Sequence, residues 1–212
     1  RDLVRSRGLG DVYKRQSYVY AERELARTRH IFPEHTFLDV MEIKMRLELD
    51  DLAARGIITP AVAAEKASPI ARYCYERARE SVNEARPVLE KLSERYPLVL
   101  VSNFYGNVES VIRDMGIRRY FRGIIESAVV GVRKPDARIF MLGVIALGLK
   151  PEEVLVVGDS MRKDILPAES IGCHTAWLKG KGWTADEDAM THPSQIGSLA
   201  DLLALTCTDA VK

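Results

Sequence analysis

V-L-V-V-G-D-S-M-R-K-D, residues Val154–Asp164, decides the reading of the fold. Four apolar residues, three of them β-branched, end at Gly158 and form the pattern of a buried strand. Asp159 and Asp164 follow at its carboxyl end. Ligands of open α/β sheets bind outside the carboxyl ends of the strands. Two carboxylates five positions apart can face one point there, and hard cations such as Mg²⁺ take oxygen ligands of this kind. The plainer alternative is that Asp159 caps the next helix and Asp164 is solvated.

The same alternation extends to both sides of this stretch. P-L-V-L-V-S-N gives a strand over Leu98–Val101, with Ser102 and Asn103 at its end. G-I-I-E-S-A-V-V gives a second strand region, and H-T-A-W-L one beyond Gly172. Helices are expected over Val88–Arg95, Gly106–Met115, Asp136–Leu147, Asp164–Ile171 and Gln195–Leu205. Strands alternating with helices of about ten residues mean βαβ units and a parallel sheet. From Ser17 to about Arg86 the pattern is helical throughout. Phe37, Val40, Met41, Met45, Leu49 and Leu52 recur at helical spacing, with Lys44 and Glu48 as polar breaks in that face. Gly56 reads as the stop after Arg55, and Thr59-Pro60 as the start of the next helix, which runs past Pro69 toward Arg79. Tyr73 and Tyr75 are expected in its core. Arg23, Arg27 and Lys44 are candidates for a basic pocket, or simply solvated. Lys179–Thr184 reads as a loop over the sheet edge, with no role assigned to Trp183.

Composition narrows the function. A chain of 212 residues, 47% hydrophobic, buries a sizeable core as one domain or one domain with an insert. A net charge of +1 gives no bulk field toward nucleic acid or acidic membranes. No apolar run approaches the length of a transmembrane helix, and there is no signal-peptide pattern. Cys74, Cys173 and Cys207 make no metal or redox spacing, so reduced thiols and a cytoplasmic location are expected. A monomer or homodimer is expected.

Three chemistry-bearing positions stand at strand ends. Ser102 and Asn103 offer a hydroxyl and a backbone N–H where a phosphate oxygen can bind, or they form an ordinary turn. Lys134, ahead of Pro135 and a helix, offers an ammonium that neutralises a phosphoryl group, or it is a solvated lysine. The order V-S-N, then R-K-P-D-A-R-I-F, then V-V-G-D-S-M-R-K-D resembles the haloacid dehalogenase superfamily. The resemblance covers roughly Ala85–Trp183. It implies a Rossmann-like α/β core over 85–212 and an α-helical cap over 17–84. It also implies roles: Ser102 and Asn103 binding the phosphoryl group, Lys134 stabilising its charge, and Asp159 ligating Mg²⁺. Asp164 would complete the acidic pair, orienting either the metal's water or Lys134. The implied reaction is Mg²⁺-dependent hydrolysis of a small phosphomonoester through an aspartyl-phosphate.

One part of that pattern is missing. An apolar strand followed by D-x-D, which supplies the family's nucleophile, occurs nowhere: Asp2 and Asp11 follow no strand, and Asp39, Asp50 and Asp51 lie in helical stretches. The family places that strand centrally, between Leu98–Val101 and Val154–Val157. Its loss leaves backbone groups unpaired at about 1–3 kcal/mol each when buried, so the chain is expected to be unstable and inactive. Residues 1–16 show no sustained period and read as a flexible basic tail. The ending D-V-Y-K-R-Q also resembles translated sequencing-adapter readthrough, which implies a non-native segment and a gene that begins further upstream. Two other functions stay open. One is a metal-independent 2-haloacid dehalogenase, against which the acidic pair argues. The other is a non-catalytic binding or regulatory protein.

Overall fold

The computed structural model describes residues 2–180 and 188–205, with side chains from Tyr13 onward. Trp183 and Cys207 fall outside these residues. The chain divides into two compact units, residues 1–81 with 105–115, and residues 82–104 with 116–212.

The first unit is helical: α1 (Asp2–Arg27), α2 (Phe37–Ala54), most of α3 (Pro60–Ser93) and α4 (Val108–Asp114). The expectation of a structureless 1–16 is corrected, because α1 is helical from Asp2. Ser17, Ala21 and Leu25 are buried at four-residue spacing. Extending a helix anchored that way costs far less than nucleating one. Thr36 and Asp39 form a reciprocal capping box at the start of α2, the side chain of each accepting the other's backbone N–H. The Thr36 hydroxyl, which donates to Asp39 Oδ2 at 2.7 Å, and after it the Thr36 backbone N–H hold the Asp39 carboxyl below its ordinary range. Gly56 follows the end of α2 with φ +71, as its position suggested. Thr59 accepts the Val62 N–H at 3.3 Å at the start of α3.

Two readings of this unit are corrected. Tyr73 is 67% exposed and belongs to no core. Tyr75, half-buried, donates to Asp114 at 3.1 Å. Lys44 is no free cation: its ammonium pairs with Glu22, which also accepts from Tyr105 Oη at 3.1 Å. Glu48, one turn on from Lys44, is pushed up in pKa by burial against the opposing pull of Lys44. The lysine is thus shared among carboxylates rather than offered to a ligand.

The second unit carries the strands. Here α3 runs unbroken across Pro69 and Pro87 to Ser93, where two helices separated near Pro87 were expected. Then follow β1 (Leu98–Ser102), β2 (Phe121–Glu126), a helical turn α5 (Ser127–Val130), α6 (Arg138–Leu147), β3 (Leu155–Gly158), α7 (Leu166–Ser170), β4 (His174–Leu178), β5 (Gln195–Ile196) and α8 (Asp201–Leu205). Three boundaries differ from the sequence reading. Ser127–Val130 is helical rather than strand. Asp164–Ile171 is a π-helical turn over Met161–Ile165 followed by α7. Gln195–Leu205 is not one helix but β5 and α8, because the Asp201 carboxylate takes the backbone N–H groups of Gly197 and Ser198 and turns the chain there.

All strand pairs are parallel, but they form two ladders: β1 with β2, and β3 with β4 and β5. Among the described residues no strand joins them, so one edge of β1 and one of β3 are unpaired. Hydrophobic packing bridges what the ladders do not. Val101 of β1, Ile125 of β2 and Val156 of β3 pack with Ile139, Phe140 and Val144 of α6. Strand side chains alternate between faces, and on the opposite face Leu98 of β1 and Ala176 and Leu178 of β4 meet Val88 and Leu92 of α3. Leu155 and Val157 of β3 remain 41% and 38% exposed. Parallel strands normally bury both faces, so this apolar exposure marks a slot beside β3. No helix of the described residues is long and apolar enough to cross a membrane.

Candidate active site

The second unit gathers the predicted residues at the carboxyl ends of β1 and β3. Lys134 is central. Its ammonium meets Asp164 Oδ1 at 2.7 Å, with the two side chains only 18% and 6% exposed. The contact is an ion pair more than a directed hydrogen bond, since Oδ1 is buried without a well-aligned donor. The other oxygen, Oδ2, accepts the Ser160 backbone N–H at 3.1 Å. The ring of Phe140, buried in α6, lies 5.5 Å from the lysine nitrogen and forms a cation–π wall. The Lys134–Pro135 peptide is cis.

Asn103 reaches the same lysine by its backbone. Its Nδ2 donates to the Lys134 carbonyl at 3.1 Å, and its Oδ1 accepts the Lys134 N–H at 2.8 Å. The sequence offered the Asn103 backbone N–H to a phosphate oxygen; its side chain has a different use, since both polar atoms of the amide are engaged by Lys134. Ser102, one residue earlier, has a half-buried hydroxyl with no hydrogen-bond partner among the described residues. It is the group left to meet an anion.

The acidic pair divides in two. Asp164 is buried and committed to Lys134 and Ser160. Asp159 is exposed, and its carboxylate has no partner among the described residues. The Asp159 carbonyl accepts from Trp177 Nε1 at 3.0 Å, which fixes the loop after β3 to β4. No three His, Cys, Asp or Glu side chains of the described residues are gathered where they could hold a metal ion. The donor chemistry still fits Mg²⁺, which is held by one or two carboxylates plus water and substrate oxygens. Asp159 is such a carboxylate.

Four supporting residues were not foreseen: Gly158, Ser160, Trp177 and Ser127. Gly158 has no Cβ because Asp164 occupies the space; one added there would lie 2.3 Å from Asp164 Cβ. Ser160 and Trp177 hold the loop, as above. Ser127 accepts the Phe104 N–H at 3.2 Å and fixes the turn after β1. A buried tryptophan N–H usually finds a partner, so Trp177 on its apolar strand carried a signal in sequence.

Known proteins similar to this chain are hydrolases. The profile of the haloacid dehalogenase-like hydrolase family matches residues 10–172. The chain is 25% identical to a phosphoserine phosphatase of Thermus thermophilus, across 95% of this chain and 92% of that protein. It is 38% identical to a glyceraldehyde 3-phosphate phosphatase of Methanocaldococcus jannaschii, but over 45% of this chain and 41% of that protein. Its fold is similar to that of a phosphatase of Thermococcus onnurineus, with a TM-score of 0.53 and 21% identity over 77% of this chain and 88% of that one.

Proposed function

The chain belongs to the haloacid dehalogenase-like hydrolase family, and from that membership we propose that its site hydrolyses small phosphomonoesters. One observation carries the reading: Lys134 is held by its backbone to Asn103 after β1 and by its ammonium to Asp164 after β3, and Ser102, next to Asn103, has an unengaged hydroxyl. Fixed donors at strand ends, aimed before the substrate arrives, are what a transferring phosphoryl group requires. The relatives named phosphoserine phosphatase and glyceraldehyde 3-phosphate phosphatase support that substrate class.

In this mechanism the Ser102 hydroxyl donates to a phosphoryl oxygen, and the Lys134 ammonium neutralises charge on the same group. Asp164 keeps that ammonium in place and does not itself meet substrate. Asp159 is the carboxylate that would hold Mg²⁺, whose charge lowers the cost of bringing an anionic phosphate to a carboxylate nucleophile. The reading requires a carboxylate nucleophile, which the family resemblance puts on an apolar strand ending in D-x-D beside the free edges of β1 and β3. Its attack on phosphorus breaks the ester P–O bond, releases the protonated alcohol and leaves an aspartyl-phosphate, which water then hydrolyses to the free carboxylate and inorganic phosphate.

The test is phosphate release from small phosphomonoesters by a polypeptide carrying that strand in place of residues 1–16. Turnover that chelation abolishes is expected. Phosphate release that persists in chelator contradicts the Mg²⁺ requirement, and halide release from a 2-haloacid without phosphate release contradicts the phosphatase reading.

A further inference from the structure

We propose that the side chain of Asn103 is a positioning group for Lys134; the inference rests on the reading of Lys134 as the phosphoryl-binding cation. The geometry is specific. A primary amide offers one acceptor and two donors, and Asn103 spends its acceptor and one donor on the N–H and the C=O of one residue, at 2.8 and 3.1 Å. That residue is 31 positions away and belongs to the loop ahead of α6. Nothing else in the described hydrogen bonding holds the Lys134 backbone from the β1 side. Lys134 is therefore fixed at both ends: its backbone to β1 through Asn103, its ammonium to the turn after β3 through Asp164.

This arrangement gives the lysine a register relative to Ser102. Ser102 and Asn103 are consecutive, so a shift of the β1 end moves the hydroxyl and the lysine backbone together. A lysine side chain has four rotatable bonds and otherwise disperses its charge among rotamers. Two backbone bonds remove the freedom of its base, and the ion pair removes that of its tip.

The experiment uses the 212-residue chain with inorganic phosphate as the probe and hydrogen exchange at the Lys134 amide as the second readout. In Asn103→Ala that amide loses its protection, and the Kd for phosphate rises roughly tenfold, the scale of two lost hydrogen bonds. Ser127→Ala, which removes the neighbouring clamp on Phe104, leaves the Lys134 amide protected. Asn103→Asp keeps the acceptor but sets a carboxylate oxygen against the Lys134 carbonyl. Its Lys134 amide stays protected while phosphate binding weakens, and it decides the matter if the alanine variant does not fold. Protection and phosphate affinity unchanged in both variants overturn the proposal. If the unsubstituted chain binds no phosphate, the functional reading fails, and the Lys134 amide alone decides the positioning role.

Discussion

Lys134→Met is expected to destabilise the second unit by about 3–5 kcal/mol, the usual consequence of stripping one partner from a buried ion pair. The loss is not that of the attraction alone. Asp164 is 4% exposed and would be left buried with the Ser160 backbone N–H in place of its cation. Replacing both partners avoids that penalty, since buried ion pairs exchanged for apolar groups of similar size are often neutral in stability. The double variant Lys134→Met, Asp164→Leu is therefore expected to recover most of the loss. Denaturant midpoints of the two single variants and the double measure this directly. Additive losses would show that Lys134 and Asp164 do not act as a pair.

Gly158→Ala should produce nearly as large an effect with the smallest possible change. The new methyl group would stand 2.3 Å from Asp164 Cβ and 2.7 Å from its Cγ, where no real contact exists. These atoms are the root of the aspartate, not a flexible tip, so the side chain cannot swing aside and keep its contacts. Asp164 has to leave Lys134, or β3 has to leave β4, where Gly158 is in register with Trp177. Overpacking of this kind costs about 1–3 kcal/mol, and the released ammonium loses its fixed place. Phosphate binding is expected to fall roughly tenfold or more, because a charge-assisted contact is worth about 1.5–3 kcal/mol. Midpoint and phosphate affinity should drop together. A loss of stability with phosphate affinity intact would separate Gly158 from the site.

The sequence made the strands legible because their burial leaves continuous apolar runs, and it made the candidate site legible because strand ends collect function in this architecture. Ser102, Lys134, Asp159 and Asp164 could be picked out for that reason. What they do to one another could not. Asp159 and Asp164 looked equivalent by spacing, yet one is exposed and the other is buried against Lys134. That difference arises from the π-helical turn over Met161–Ile165, which turns Asp164 inward and has no local sequence mark. The partner of the Asn103 amide lies 31 residues on, beyond any periodic pattern.

Helix limits failed for a different reason. Proline costs about 3 kcal/mol inside a helix, so Pro87 argued for a break, although the pattern already ran past Pro69. Burial outweighs them: Ala63, Ala67 and Ala71 line one unit, and Val88 and Leu92 anchor the core of the other. At the far end, Q-I-G-S-L-A-D-L-L has helical spacing, but Asp201 binds back to Gly197 and Ser198 and stops the helix short.

The slot beside β3 is where the account is most exposed to test. Its edges, β1 and β3, carry unpaired backbone groups, and Leu155 and Val157 face solvent. Hydrogen exchange along β1 and β3 should be compared between the 212-residue chain and a polypeptide in which an apolar strand ending in D-x-D replaces residues 1–16. The account predicts fast exchange at the free edges of β1 and β3 in the former and strong protection of both in the latter. Protection in the 212-residue chain alone, or edges that still exchange freely in the extended one, would contradict it.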